Sequence, residues 1–155
     1  MPEAPAIEIA PDAKFDVTIA TDKGDIVLAV DAALAPTTVN HFVVNARNGF
    51  YDGLTFHRVV PDFVIQGGDP EGSGRGGPGY KFADEPVQGE YTLGAVAMAN
   101  AGPDTNGSQF FICVDDCTRK LQPLYNLFGY VTSGIEVAKA VAVGDVMRSV
   151  TVTDA

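Results

Sequence analysis

Tryptophan is absent from this chain, cysteine occurs twice, and no cluster of basic residues occurs anywhere. Each scarcity excludes something. Lysine and arginine number 10 against 20 aspartates and glutamates, a formal net charge of −10. Binding a phosphate backbone or an anionic bilayer needs a cationic footprint, so nucleic acid and membrane surfaces are excluded as partners. No apolar run approaches the roughly 20 residues that a membrane-spanning helix requires. The N-terminal MPEAPAIEIAP lacks the positive start and apolar middle of a secretory signal, so a cytoplasmic protein is expected. Cys113 and Cys117 are too few for a disulfide framework, and reduced thiols are expected. No histidine lies near them to complete a metal site. Charged residues make up 19% and apolar residues 46%, which is a globular composition. At 155 residues the chain suits one domain with a sizeable core.

Residues 1–13 carry three prolines among alanines and acids, and an extended or poorly ordered tail is expected there. A single domain is expected over 14–155. Phe15–Thr21 and Asp25–Val30 alternate apolar with polar residues, and Asp22-Lys23-Gly24 is hairpin chemistry between them. Pro36 opens a helix in which Val39, Phe42, Val43 and Ala46 share a face and Gly49 provides the C-terminal cap. His41 is expected on the surface of that helix. Further strands are expected at Thr55–Val60, Phe63–Gly67, Ala95–Ala99, Gln109–Val114, Tyr125–Val131 and Asp145–Thr153. Ser133-x-x-Glu136 reads as a capping box opening a second helix with Ile135, Ala138 and Val141 on one face. Residues 67–80 hold seven of the seventeen glycines. Gly72, Gly74 and Gly77 match a dinucleotide fingerprint only formally, because Pro78-Gly79 follows where a helix should begin. A long surface loop is expected instead. About eight short strands and two helices point to a mainly β fold. The expectation is a closed eight-stranded antiparallel β-barrel capped by two α-helices, with a β-sandwich as the alternative.

Two stretches carry unusual side chains. In Gln109–Val114, period-two alternation puts Gln109, Phe111 and Cys113 on one face and Phe110, Ile112 and Val114 on the other. An amide beside a phenyl ring suits a shallow apolar site with a hydrogen-bonding edge, since a buried glutamine needs partners. In Thr55–Val60, Arg58 is expected to share a face with Phe56 and Val60, and arginine is seldom buried unpaired. Arg58, Gln66, Gln109 and nearby aromatics are therefore expected to form one site. His57, on the opposite face, is expected to be a satisfied structural histidine.

These residues recur in a known pattern. Phe56-His57-Arg58, Phe63-Val64-Ile65-Gln66-Gly67-Gly68-Asp69, Met98-Ala99-Asn100-Ala101-Gly102-Pro103, Asn106-Gly107-Ser108-Gln109-Phe110-Phe111 and Leu127-Phe128-Gly129 together resemble the cyclophilins. The resemblance runs from about Phe15 to the C-terminus, and Gly74–Tyr80 is similar to the short bacterial type. It implies a peptidyl-prolyl cis-trans isomerase that assists protein folding without metal or other cofactor. By position, Arg58 is implied as the catalytic arginine. Phe63, Val64, Gln66, Ala99, Asn100, Gln109, Phe111, Leu121 and Tyr125 are implied as substrate-binding. Implied partners are proline-containing peptides and unfolded or partly folded proteins, met by a monomer. The missing tryptophan, and Tyr125 where many members have histidine, imply reduced affinity for cyclosporin. Two other readings of the same residues stay open: a proline-peptide binding module without turnover, and a barrel carrying a small apolar ligand.

Overall fold

The structure is a computed structural model and describes residues 4–155. Residues 4–13 form neither helix nor strand. Asn40 holds them: its Oδ1 accepts from the Glu8 N–H at 2.8 Å and its Nδ2 donates to Ala6 O at 3.0 Å. Residues 1–3 of the expected tail lie outside the described residues. Among the described residues there are eight strands and two helices. In order they are β1 (Lys14–Thr21), β2 (Gly24–Asp31), α1 (Pro36–Arg47), β3 (Arg58–Val60), β4 (Val64–Gly67), β5 (Ala95–Met98), β6 (Phe110–Cys113), β7 (Leu127–Ser133), α2 (Ile135–Ala140) and β8 (Ser149–Asp154). No helix among them is long and apolar enough to cross a membrane.

The strands form one sheet in the order β3-β4-β6-β5-β7-β2-β1-β8, with every neighbouring pair antiparallel. A single sheet rules out the sandwich. The sheet curls strongly, yet it is a half-barrel and not the closed barrel expected from sequence. Strands β3 and β8 remain its two ends because the chain before each strand is irregular. The ends meet through one isolated bridge, Thr55 to Val146, and a few backbone hydrogen bonds such as Gly53 N–H to Met147 O at 2.7 Å.

Alternation accounts for the interior. Val17, Ile19, Ile26, Leu28, Phe110, Ile112 and Phe128 point into the concave face, where α1 lays Val39, Phe42 and Val43 against them. Phe42 sits 5.0 Å from Tyr51, 5.1 Å from Phe128 and 5.4 Å edge-on from Phe110. Each such buried ring contributes about 1.5–3 kcal/mol of transfer free energy. Gly24 turns the β1–β2 hairpin at φ +130°, and Gly49 follows the C-cap of α1 at φ +76°, as expected.

Three features of the helices are not legible in the sequence, and the second and third correct an expectation. First, α1 has no capping side chain of its own. The Glu85 carboxylate does that work from a distant loop, accepting from the N–H groups of Thr37 at 3.0 Å and Thr38 at 2.7 Å, where the helix dipole favours an anion. Second, His41 is buried, not on the surface: residues 80–85 cover that side of α1, and its ring meets Tyr80 and Phe82 edge-on. Burial lowers its pKa below 6.5, against an opposing pull from Glu85. Third, α2 has no capping box. Ser133 ends β7, and Gly134 takes the N-cap position at φ +85°, where a Cβ would collide with Asp25 O.

Candidate active site

The outer face of the sheet carries a second apolar cluster. Strand β6 is buried on both sides, so while Phe110 and Ile112 point inward, Phe111 and Cys113 point outward. Val64, Ala95, Ala97 and Leu127 join them from neighbouring strands, and Tyr91 and Cys117 cover them from loops. Both thiols are free and buried, and burial pushes each above its ordinary pKa.

A cleft of about 180 Å³ opens over this cluster. Of the ten residues expected in the site, nine line it, and only Gln109 does not. Phe111 forms the floor, 4% exposed, with the Tyr125 ring edge-on at 5.4 Å. The Tyr125 backbone is held in turn by the Tyr91 hydroxyl, which donates to Tyr125 O at 2.6 Å. Leu121, from the irregular stretch after β6, reaches the cleft because its N–H and that of Lys120 both donate to Cys117 O.

Arg58 is exposed at the cleft edge, and among the described residues it lies within ion-pair distance of no carboxylate. Its Nη1 donates to Gln66 Oε1 at 3.3 Å. Gln66 Nε2 donates to Gln109 Oε1 at 3.0 Å, and Gln109 Nε2 to Gly76 O at 3.0 Å. The β3–β4 register sets the first link by pairing Arg58 with Gln66, and the β4–β6 register brings Gln66 to Phe111. Gln109 therefore reaches Arg58 only through Gln66.

Two neighbours of Arg58 also differ from expectation. Phe56 is fully buried in the interior cluster, against which Val59 also packs, because regular strand begins only at Arg58 and alternation fails across His57. His57 itself is not satisfied: both ring nitrogens are buried without a hydrogen-bond partner, next to Gly74. Asn100 lines the cleft, but its side-chain amide is engaged, Nδ2 donating to Leu124 O at 2.9 Å and Oδ1 accepting from the Gly102 N–H at 3.2 Å.

Sequence reasoning missed Asp69. It is 1% exposed and gathers the glycine-rich loop around itself, accepting from the N–H groups of Glu71 at 2.8 Å, Ser73 at 2.9 Å and Gly74 at 2.6 Å. Burial raises its pKa, but backbone N–H groups of Glu71, Gly76, Gly74 and Ser73 together outweigh burial and hold it below the usual aspartate range. An aspartate followed by small turn residues was the available signal. The loop so arranged is no nucleotide cradle opening a helix. With Thr105 and Gly107–Gln109 it walls a larger cleft of about 820 Å³ that shares Gln66, Ala99 and Asn100 with the first.

Comparison with known proteins points to one family. The family model described as cyclophilin type peptidyl-prolyl cis-trans isomerase/CLD matches residues 15–155. The chain is 53% identical over 120 residues to peptidyl-prolyl cis-trans isomerase B of Bacillus subtilis, covering 76% of this chain and 83% of that protein. It is 44% identical over 137 residues to the peptidyl-prolyl cis-trans isomerase of Helicobacter pylori, covering 86% and 83%. Among solved structures, a cyclophilin type isomerase of Cryptosporidium parvum superimposes with a TM-score of 0.83 at 28% identity, over 92% of this chain and 99% of that one. A second structure of that protein was determined in the presence of the dipeptide Ala-Pro. With a family model matching residues 15–155 and a solved structure superimposing over 92% of its length, the chain belongs to the cyclophilin-type peptidyl-prolyl cis-trans isomerases, enzymes that accelerate rotation about the peptide bond preceding proline.

Proposed function

We propose that the 180 Å³ cleft takes the proline ring of a peptide and that Arg58 is the catalytic group. Rotation about an X-Pro bond meets a barrier of about 18–20 kcal/mol, because resonance gives the C–N bond double-bond character. No covalent bond breaks, so neither nucleophile nor general base is needed; the site has only to favour the twisted amide over both planar forms. On twisting, the proline nitrogen regains a lone pair. Arg58 commits one guanidinium N–H to Gln66, and its remaining donors are free to meet that nitrogen or the proline carbonyl. One preorganised donor contributes about 3–4 kcal/mol, or 10²–10³ in rate.

The ring rests on Phe111 with Phe63, Val64 and Leu121 around it. This apolar floor suits the twisted amide, which is less dipolar than the planar one. The Asn100 side chain is occupied, so a grip on the peptide backbone falls to its main chain. Substrates on this reading are proline-containing peptides and partly folded proteins, met by a monomer. Cyclosporin is expected to bind weakly, because Tyr125 occupies one rim and no tryptophan supplies another contact. The observation that carries the proposal is the unpaired Arg58 guanidinium held by Gln66 above an apolar floor. Exchange NMR on a short X-Pro peptide tests it. Wild type should accelerate cis-trans exchange, and Arg58→Ala should lower kcat/KM by about 30- to 1000-fold. Equal activity in wild type and variant would overturn the assignment.

A further inference from the structure

Two walls of the smaller cleft come from a stretch that is neither helix nor strand. Residues 114–126 join β6 to β7 and supply Leu121 and Tyr125. Residues 122–124 stand exposed within that stretch, Leu124 at 57%. No ladder fixes such a segment, so its shape depends on a few attachments. Two of these lie in water: Lys120 Nζ donates to Asp62 O at 2.6 Å, and Asn100 Nδ2 to Leu124 O at 2.9 Å. Water competes for both bonds, so each holds the segment weakly.

A buried residue holds both ends. Tyr91, in the loop before β5, accepts the Cys117 N–H on its carbonyl at 2.8 Å. Its hydroxyl donates to Tyr125 O at 2.6 Å and accepts the Tyr125 N–H at 3.1 Å. A phenol has one proton and two lone pairs, enough for both backbone groups of a single residue. Cys117 O in turn accepts the Leu121 N–H at 3.1 Å. Both ends of 117–125, and Leu121 between them, are thus tied to Tyr91. Yet Tyr91 lines neither cleft: it is 4% exposed, and its ring centroid lies 6.5 Å from that of Phe111, the floor. Burial pushes its phenol up to about 12, so the hydroxyl keeps its proton at neutral pH.

Resting on the isomerase reading above, we propose that Tyr91 is a positioning residue for the proline site: its carbonyl and hydroxyl clasp 117–125 at both ends and so set Leu121 and Tyr125 around the ring. Arg58 and its partner Gln66 stand on β3 and β4 and take no hydrogen bond from Tyr91. Opening the clasp therefore loosens the grip on the ring in its planar and twisted forms alike. Binding lost equally from ground and transition states appears in KM and leaves kcat as it was.

Tyr91→Phe is the test, since it keeps the ring and the carbonyl and removes the hydroxyl alone. Exchange NMR gives kcat and KM for a short X-Pro peptide, and a chemical-shift titration gives Kd for the same peptide. KM and Kd should rise together by about 3- to 10-fold, the range for one or two lost hydrogen bonds, with kcat within about twofold of wild type. Hydrogen exchange at the Tyr125 amide should quicken more than at the interior strands. Ile19→Val, a truncation in the interior on β1, serves as control and should lower stability with KM unchanged. A Tyr91 that only stabilised the fold would act like this control, reducing the folded fraction and the apparent kcat while KM and Kd stayed put. That result would overturn the proposal, as would a Tyr125 amide that exchanges as in wild type. Failure of the isomerase reading is distinct: wild type would then show no catalysed exchange, while Kd still reports on the clasp.

Discussion

Arg58 and Gln66 face each other across the β3–β4 ladder, and the guanidinium of one donates to the amide oxygen of the other at 3.3 Å. Because Gln66 is itself oriented by Gln109, which is anchored on Gly76, a flexible cation is fixed by a relay of amides and not by a carboxylate. On the proposed reading a carboxylate would neutralise the charge offered to the twisted amide, whereas an amide orients it and leaves it whole.

The relay predicts non-additivity. Gln66→Ala frees the guanidinium and should lower kcat/KM by about 3- to 30-fold, an ordinary range for a lost hydrogen bond to a charged group. Gln109→Leu should cost less, and the double variant no more than Gln66→Ala alone, because residues in one network couple. Full additivity in the cycle would show Gln109 acting on substrate by some other route.

On the proposed reading Phe111 serves both stability and binding. Truncation to alanine opens a cavity beneath the cleft and removes the edge-on contact with Tyr125, so Phe111→Ala should destabilise by about 3–5 kcal/mol. Urea denaturation measures that loss. Below the unfolding midpoint, KM for a proline peptide should rise severalfold as the floor of the cleft is lost.

His41 predicts a pH dependence. Its folded pKa is depressed below 6.5 by burial, so the unfolded chain binds the proton more readily. Stability is then full above pH 6.5 and falls as pH drops through the lower folded value. Thermal scans should give a lower Tm at pH 5 than at pH 7.5, and His41→Gln should flatten that slope. An unchanged slope in the variant would place the titration elsewhere.

Asp69 titrates the same way for a different reason. Its folded pKa lies below 3.8, so its contribution is present above that value and is lost as pH falls through the folded one. Asp69→Ala strands the N–H groups of Glu71, Ser73 and Gly74 and should cost about 1–3 kcal/mol for each that finds no water. Hydrogen exchange in residues 70–77 should quicken selectively, with a smaller loss of activity through Gly76 and Gln109.

What the amino-acid order determined by itself is whatever depends on neighbours a few residues apart. Alternation along Gln109–Val114 separated the cleft face from the interior face, Gly24 and Gly49 marked their turns, and the motifs around Arg58, Gln66 and Phe111 marked residues that line one cleft. Tertiary structure alone decided the rest. Glu85 caps a helix 47 residues away, and residues 80–85 bury His41. Gly134 displaces an apparent capping box because Asp25 O lies where a side chain would stand. Phe56 leaves the face of Arg58 where the strand has not yet begun, and the sheet stops at a half-barrel because the irregular chain before β3 and before β8 meets at one isolated bridge, Thr55 to Val146. These outcomes turn on which distant backbone arrives beside which side chain. Periodicity fixes the face a residue presents, while its partner is chosen only when strands far apart in the chain come into register.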